Sequence, residues 1–359
     1  MLQKIKITGL FDQFDYEIEL KPEGITILTG PNGYGKTTIL KAIYAFTQRN
    51  ILFLLDLPFS EIVLLHSGEE ISVAKESSFS LPTKWHRDLL STYFIQEQRL
   101  FKRKPGEIAN KPPSDGSDLA GEVKGVLEHS IEEYASELSS RHMKNALAEA
   151  SKISQELDGS FPERLFQESG SIDEQEFNRR YETVRQRQNA LSRYGLSTAR
   201  EGQQASFKEE NARALLVYLD DTEKKLAVFD EILERLDLFS SILDKKQFAN
   251  KAIEISLEFG FRFKTDDGKE LPLTALSSGE QQEVVLLYEL LFKVEPGALV
   301  LIDEPETSLH VAWQREFLDD LSRIVASRGI QVLLATHSPQ IIGTHWDWVV
   351  DLWENSGHE

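Results

Sequence analysis

Alternation of apolar and polar residues predicts several strands in the first quarter of the chain. It is clear over residues 4–10 and 16–20, which are separated by a short polar turn. Residues 61–66 and 70–74 repeat the pattern on either side of a glycine-containing turn, which is typical of a β-hairpin. A further strand is predicted at residues 91–95. The chain therefore begins with a β-rich region.

Helical spacing replaces alternation between about residues 119 and 246, where Glu, Lys, Arg, Gln, Ala and Leu dominate. This region predicts an all-helical insertion. One stripe repeats every seven residues, at Leu219, Leu226 and Leu233. Such a repeat suits either a helix packed within its own subdomain or a short coil that binds a partner. We favour internal packing, because the repeat is short and Ser240 interrupts it.

Alternation returns at residues 253–263, where six apolar residues at every second position predict one long half-buried strand. A turn at Asp266-Asp267-Gly268 leads to a returning strand at residues 271–276. The rest of the chain is predicted to run helix, strand, helix, strand, strand over residues 282–293, 298–302, 311–326, 331–336 and 348–352. The short helix-to-strand connections favour parallel pairing in an α/β core.

Two stretches rich in Pro, Gly and polar residues, at 102–106 and 111–117, have the composition of a domain boundary. We therefore predict three segments. Residues 1–104 and 247–359 form the two halves of one α/β core, and residues 105–246 form the helical insertion that separates them.

Composition narrows the class of protein. The 359 residues include 59 Asp and Glu against 40 Lys and Arg, a net charge of -19, so nonspecific attraction to nucleic acid is not expected. The absence of cysteine excludes disulfides and thiolate metal sites and suits a reducing cytoplasm. No stretch has the composition of a signal peptide or a membrane span. We expect a cytoplasmic protein without a membrane partner.

A phosphate-binding loop follows the predicted strand at residues 24–29. It matches the pattern G-x-x-x-x-G-K-[ST] in full, as Gly30-Pro31-Asn32-Gly33-Tyr34-Gly35-Lys36-Thr37-Thr38. In this pattern the glycines let backbone N–H groups face a phosphate, Lys36 reaches the outer phosphates, and Thr37 holds Mg²⁺. The alternative is a glycine-rich turn without a ligand. The order of strand, loop and helix favours nucleotide binding.

Two adjacent carboxylates end the apolar run Leu299-Val300-Leu301-Ile302. Asp303 can hold Mg²⁺ through its water shell, and Glu304 can orient or deprotonate the water that attacks the γ-phosphate. Adjacent acids at the end of a strand are by themselves usually a solvated turn. Together with the phosphate loop they form a Walker B pattern at the edge where α/β sheets place ligands.

A serine- and glycine-rich segment, Leu276-Ser277-Ser278-Gly279-Glu280-Gln281-Gln282, precedes a predicted helix. Its backbone N–H groups and the helix N-terminus can meet an anion. A capping box of Ser277 and Glu280 is the structural alternative, but it does not explain Ser278 and Gly279. We favour an anion-binding role.

Four motifs in this order resemble those of ABC-type ATPases: the phosphate loop, the segment at 276–282, residues 303–310 and Thr336-His337-Ser338-Pro339. The sequences at 304–310 and 336–339 resemble the branch that contains OLD, RecF and SMC-like proteins. The resemblance implies a P-loop ABC-type core with a mixed sheet, flanking helices and an antiparallel β subdomain, interrupted by an all-helical insertion. It also implies ATP and Mg²⁺ as cofactors.

The resemblance assigns further roles. Ser277 and Gly279, with Ser278 and Glu280 in the same nucleotide-binding segment, become contacts to ATP held by a second copy in a head-to-tail dimer. Residues 306–309 become the D-loop. Catalytic residues would be Glu304 and the switch histidine His337. Thr37 and Asp303 would hold the metal together with a Q-loop glutamine, which is either Gln96 or, as we prefer, Gln98.

The motif set also resembles the stand-alone ATPases of Septu-type and retron-linked bacterial defence systems, since few residues follow Pro339 and an OLD-type nuclease would need a further domain. This implies a slow, regulatory ATPase that controls a separate effector, such as a nuclease. The alternative is a RecF-like repair clamp on duplex DNA. The residues that could contact nucleic acid directly are five arginines of the insertion, Arg179, Arg180, Arg185, Arg187 and Arg193. A solvated helix face is the commoner explanation of such a cluster.

Overall fold

A computed structural model describes residues 1–75, 90–95, 130–197, 206–246, 248, 250–307 and 309–354. The chain divides into two compact units. Met1–Leu127 and Ser277–Glu359 form the first, and Glu128–Leu276 form the second. Within the described ranges, no helix is both long enough and apolar enough to cross a membrane.

The strands and helices follow one another in the order that the sequence predicts, with differences given below. The strands are β1 (Leu2–Leu10), β2 (Phe14–Glu19), β3 (Ile25–Thr29), β4 (Glu61–His66), β5 (Glu69–Ala74), β6 (Thr92–Ile95), β7 (Lys251–Ser256), β8 (Gly260–Thr265), β9 (Glu270–Leu271), β10 (Leu299–Asp303), β11 (Gln331–Ala335) and β12 (Val349–Asp351). The α-helices with both ends in the described residues are α1 (Lys36–Thr47), α2 (Ile51–Asp56), α3 (Lys144–Gln167), α4 (Glu174–Arg193), α5 (Ala212–Ala227), α6 (Asp230–Lys245), α7 (Ser278–Tyr288), α8 (Val311–Gln314), α9 (Phe317–Arg328) and α10 (Pro339–Ile342).

A five-stranded parallel sheet with the order β12-β3-β11-β10-β6 forms the centre of the first unit. Every residue of β10 and β11 is buried, as expected for central strands of a parallel sheet that are covered on both faces. Asp303 pairs with Ala335, so these two strands end at the same level. Residues that follow β3, β10 and β11 therefore meet at one edge of the sheet.

A separate antiparallel sheet, with the order β2-β1-β4-β5, belongs to the same unit. Its inward residues, such as Ile5 and Ile62, share a hydrophobic core with Ile39 and Phe46 of α1. The β4–β5 hairpin turns at Ser67-Gly68, both with positive φ, as tight hairpins require. The predicted fold class, an α/β P-loop core with an antiparallel β subdomain, is confirmed.

The second unit holds the predicted helices. The chain is already helical at residue 130 and passes through a π-helical turn, Leu138–Met143, into α3. The heptad stripe crosses two helices, because α5 ends at Ala227 and α6 begins at Asp230. Leu219 and Leu226 are buried within this unit, in agreement with internal packing.

Each of the five arginines considered for nucleic acid has a carboxylate partner. Arg179 and Arg185 pair within α4, with Glu176 (2.6 Å) and Glu182 (3.9 Å). The pairs to α5 and α6 are Arg180 with Asp220 (2.6 Å) and Glu223 (2.8 Å), Arg187 with Asp230 (3.5 Å), and Arg193 with Asp237 (3.4 Å). Exposed ion pairs add little stability, but they neutralise the positive charge that phosphates would need. The arginines therefore give α4 no free basic face.

Three sequence-based expectations about local structure are wrong. Residues 253–263 form an antiparallel hairpin, β7–β8, with a turn at residues 257–259, instead of one strand. The predicted helix 311–326 is broken between α8 and α9. The predicted strand 271–276 is reduced to β9 and a 3-10 turn at Leu273–Ala275, because Pro272 cannot donate to the ladder.

The segment boundaries also differ from those predicted. The predicted edge at residues 104 and 105 lies outside the described residues. The edge predicted at residues 246 and 247 moves to 276 and 277, because β7, β8 and β9 belong to the second unit. Packing of Phe239 in α6 against Phe261 in β8, with ring centroids 5.6 Å apart, explains this grouping.

We expect Gly260→Ala to destabilise the second unit by about 3 kcal/mol. An added Cβ would lie 1.7 Å from the carbonyl oxygen of Ala135, and φ at this position is +79°. Gly268→Ala is the matched control, because its φ is +81° and nothing lies within 4 Å of the added Cβ. Urea unfolding followed by circular dichroism would compare them. Equal losses in the two variants would show that the contact with Ala135 is unimportant.

Candidate functional site

The phosphate loop connects β3 to α1 in the first unit. Gly30, Gly33 and Gly35 have φ values of +138°, +91° and +83°, which residues with a Cβ rarely adopt. A Cβ at Gly35 would also lie 3.0 Å from Leu10 Cδ2, a tight contact that adds to the backbone preference for glycine. No side chain caps α1, which leaves its first N–H groups available to an anion.

The Lys36 side chain lies under the loop and is only 6% exposed. Its Nζ donates to the carbonyl oxygens of Gly30 (2.8 Å) and Pro31 (3.1 Å). Burial lowers the pKa of Lys36. Four carboxylates oppose that shift: Glu304, Asp303, Glu306 and Asp351. One buried ammonium therefore faces an excess of negative charge.

Tyr34, Pro31 and Asn32 complete the loop. The Tyr34 carbonyl accepts a hydrogen bond from the Tyr16 hydroxyl (2.8 Å), and burial raises the pKa of Tyr16 to about 12, which keeps it a donor. The ring of Tyr34 packs between Phe14 and Trp353, at centroid distances of 5.2 and 5.4 Å. Pro31 and Asn32 are exposed, and Thr38 lies in the first turn of α1.

A hydrogen bond joins the loop to the end of β10. The Thr37 hydroxyl donates to Asp303 Oδ1 over 3.0 Å, although the two residues are 266 positions apart. Both are hard oxygen donors of the kind that Mg²⁺ prefers. Within the described residues no group of three or more His, Cys, Asp and Glu side chains is placed to hold a metal. The pair therefore fits Mg²⁺ that keeps water and phosphate oxygens as its other ligands.

Glu304 directly follows β10 and has a φ of +45°, which is unusual for a residue with a side chain. Its N–H donates to the carbonyl oxygen of Ala335 at the end of β11 (2.9 Å). The carboxylate Oε1 lies 3.6 Å from Nε2 of His337, longer than a direct hydrogen bond. Both side chains are about one-third exposed, at 30% and 35%, so water can reach them.

Residues 277–280 lie at the start of α7. Ser277 and Glu280 form the capping box there that we considered as an alternative to anion binding. Ser277 Oγ accepts from the N–H of Glu280 (3.4 Å), and the Ser277 N–H donates to Glu280 Oε2 (2.7 Å). Glu280 is buried, so its carboxylate serves the cap. Ser277 and Ser278 are exposed. A Cβ at Gly279 would meet only Trp313, at 4.0 Å.

Three of the predicted positions lie outside the described residues. They are Gln96 and Gln98, the Q-loop alternatives, and Ser308 of the predicted D-loop. Sequence reasoning also missed Gln314, whose side chain contacts both the 306–309 segment and Ser338. Its position eight residues after Glu306, near the end of a short helix, carries no signal that one sequence can show.

Comparison with known proteins places the chain in a family. The family described as "AAA domain, putative AbiEii toxin, Type IV TA system" matches residues 25–343. UvrABC system protein A of Aquifex aeolicus is 36% identical over 86 residues, which are 24% of this chain and 9% of that protein. The same protein of Escherichia coli K12 is 37% identical over 84 residues, 23% of this chain and 9% of its own length. The chain thus spans less than a tenth of these curated relatives.

Two solved structures are similar over most of the chain. The Smc head domain of Pyrococcus furiosus, bound to the C-terminal domain of ScpA, has a TM-score of 0.44 at 15% identity. The match covers 98% of this chain and 92% of the Smc chain. The SMC head domain from Thermotoga maritima has a TM-score of 0.41 at 15% identity, with coverage of 95% and 90%. These scores are low, and the assignment rests on the family match. Because that match covers most of the sequence, the chain belongs to this family of AAA-type ATPase domains.

Proposed function

We propose that this chain is a Mg²⁺-dependent ATPase that hydrolyses ATP to ADP and phosphate, slowly and as a regulatory step. The observation that carries the proposal is the Thr37–Asp303 hydrogen bond of 3.0 Å. It joins the phosphate loop to the strand end that bears Glu304, within reach of His337. Under this proposal, residues from three parts of the chain supply phosphate binding, a metal position and a candidate base.

Each residue then has one task. The loop from Gly30 to Thr38 holds the phosphates, with Lys36 as its positive charge. Thr37 and Asp303 would hold Mg²⁺, which supplies charge neutralisation at the phosphates when it is bound. Glu304 orients and deprotonates the attacking water, and His337 contacts the γ-phosphate. Whether Gln96 or Gln98 adds a metal ligand stays a prediction.

The site is completed by a second copy, in a head-to-tail dimer. Ser277, Ser278 and Gly279 support this proposal because they lie at the surface, at the start of an eleven-residue helix, where N–H groups can bind phosphate. Glu280 would act only through its cap on Ser277. The ATP-bound state is then the dimer.

We further propose that the dimer controls a separate effector in bacterial defence, with a nuclease as the favoured class. The family description names a toxin of a type IV toxin–antitoxin system, which is compatible with a role in bacterial defence. The alternative, which rests on the resemblance of the sequence motifs to RecF-like proteins, is a repair clamp on duplex DNA. The paired arginines of α4 argue against direct nucleic acid binding by that helix.

Copurification of the tagged full chain from its native host tests the proposal. Wild type and Glu304→Gln would be compared, because the variant should accumulate as ATP-bound dimer. Recovery of a nuclease or another effector protein, enriched with the variant, is expected. Recovery of duplex DNA without a protein partner would instead support the repair clamp.

We expect nucleotide binding to weaken at least about tenfold when Mg²⁺ is removed, because the phosphates then face uncompensated carboxylates around Lys36. Asp351→Asn should reduce this dependence. It removes one of those charges yet keeps the oxygen that accepts the Trp353 N–H (2.8 Å). Titration calorimetry with ATP in Mg²⁺ or in EDTA would measure both effects. Equal affinity in the two buffers would contradict the charge argument.

A further inference from the structure

The side-chain nitrogen and oxygen of Gln314 are both hydrogen-bonded inside the protein. It lies at the end of α8 and is only 8% exposed. Its Nε2 donates to the carbonyl oxygens of Glu306 (3.1 Å) and Leu309 (3.2 Å). Its Oε1 accepts from the hydroxyl of Ser338 (3.1 Å). One amide therefore ties the segment after β10 to the segment after β11.

A second link joins the same two segments. The N–H of His337 donates to Glu306 Oε1 over 2.7 Å. Nearer to β10, the carbonyl oxygen of Glu304 accepts from the N–H of Thr307 (3.2 Å) and from its hydroxyl (2.8 Å). The chain after β10 is thus hydrogen-bonded at Glu304 and again at Leu309.

The segment around His337 is also fixed by hydrogen bonds. The N–H of Ser338 donates to the hydroxyl of Thr336, which is fully buried (3.0 Å). The Ser338 hydroxyl also accepts from the N–H of Ile341 and caps α10 (3.4 Å). His337 lies between these two anchored neighbours, so moving Ser338 moves the imidazole.

We propose that Gln314 is a positioning residue that sets the separation of 3.6 Å between Glu304 and His337. This inference rests on the proposed function, since it assigns Gln314 to the same reaction. Glutamine is the side chain that fits, because two donors and one acceptor are needed at this length. Glutamate lacks the donors, and methionine has no donor and only a weakly accepting sulfur.

The test is the ATPase kinetics of the full chain with Gln314→Met. We expect kcat to fall about 10- to 100-fold, because misplacement by about 1 Å is that costly, while the KM for ATP changes less than about twofold. A loss of general stability would lower nucleotide binding as well. Gln340→Met is the matched control, since Gln340 is exposed on α10. Wild-type kcat in Gln314→Met would overturn the inference.

A double-mutant cycle with Ser338→Ala tests the route through Ser338. The kcat losses of Gln314→Met and Ser338→Ala should be strongly non-additive, and simple additivity would overturn the proposed route. If Gln314→Met does not fold, Ser338→Ala alone should lower kcat with KM unchanged, and an unchanged kcat would count against Gln314. Absence of turnover in the wild type would instead contradict the proposed function.

Discussion

Glu304→Gln is expected to lower the rate of ATP hydrolysis by about 10²- to 10⁴-fold, the range typical of losing a general base. Affinity for ATP should stay close to that of the wild type. The replacement is nearly isosteric, and the backbone that holds the residue at its φ of +45° depends on Ala335 and Thr307, which are unchanged. Because ATP then persists, the variant should collect in the dimeric state.

Single-turnover hydrolysis and light scattering with ATP would measure the two effects. Glu23→Gln is the control, since Glu23 is an exposed carboxylate just before β3. Unchanged turnover in Glu304→Gln would remove Glu304 as the base. Loss of ATP binding would mean that its charge is needed for binding, contrary to the role proposed.

Lys36→Met is expected to weaken ATP binding about 10- to 150-fold, the effect of losing charged hydrogen bonds to phosphate. The unfolding temperature without nucleotide should not fall. Burial disfavours the ammonium, as its lowered pKa indicates, and the loop carbonyls that it leaves at Gly30 and Pro31 can bind water. If Lys36→Met lost both ATP binding and stability, the result would contradict the prediction that Lys36 serves binding and not stability.

The same variant tests whether the site is shared between copies. Ser277→Arg should bind ATP but fail to close the neighbouring site, at a capping cost of about 1 kcal/mol. Mixing Ser277→Arg with Lys36→Met should restore about one-quarter of wild-type turnover, because half of randomly formed dimers contain one intact site. A mixture as inactive as its components would contradict the head-to-tail arrangement.

The parts of the fold and site that could be predicted are those in which local sequence determines the outcome. The apolar run at residues 299–302 is short and contains β-branched residues, which favours a buried strand, and the carboxylates that follow it then lie at the sheet edge. The glycines of the phosphate loop likewise indicate positions with positive φ, because only glycine adopts such angles readily. Strand, loop and helix were predicted for these reasons.

Other features depend on contacts that one sequence does not encode locally. The alternation over residues 253–263 cannot distinguish a strand from a hairpin, because a three-residue turn preserves it: Ile255 still pairs with Phe261 and Ile253 with Phe263. The partners Glu223 of Arg180 and Asp230 of Arg187 each lie 43 residues away along the chain. The proposed role of Gln314 likewise depends on its hydrogen bond with Ser338, a contact that only the tertiary structure creates.

The boundary between the two units has a consequence for signalling. It falls between Leu276 and Ser277, so a single peptide bond joins the unit with the helices to the residue proposed to close a neighbour's ATP site. Under that proposal, an effector that pulls on the helical unit of one copy would alter the nucleotide of the other copy first. Information would then pass crosswise through the dimer, and in a lone copy Ser277 would have no neighbouring nucleotide to contact.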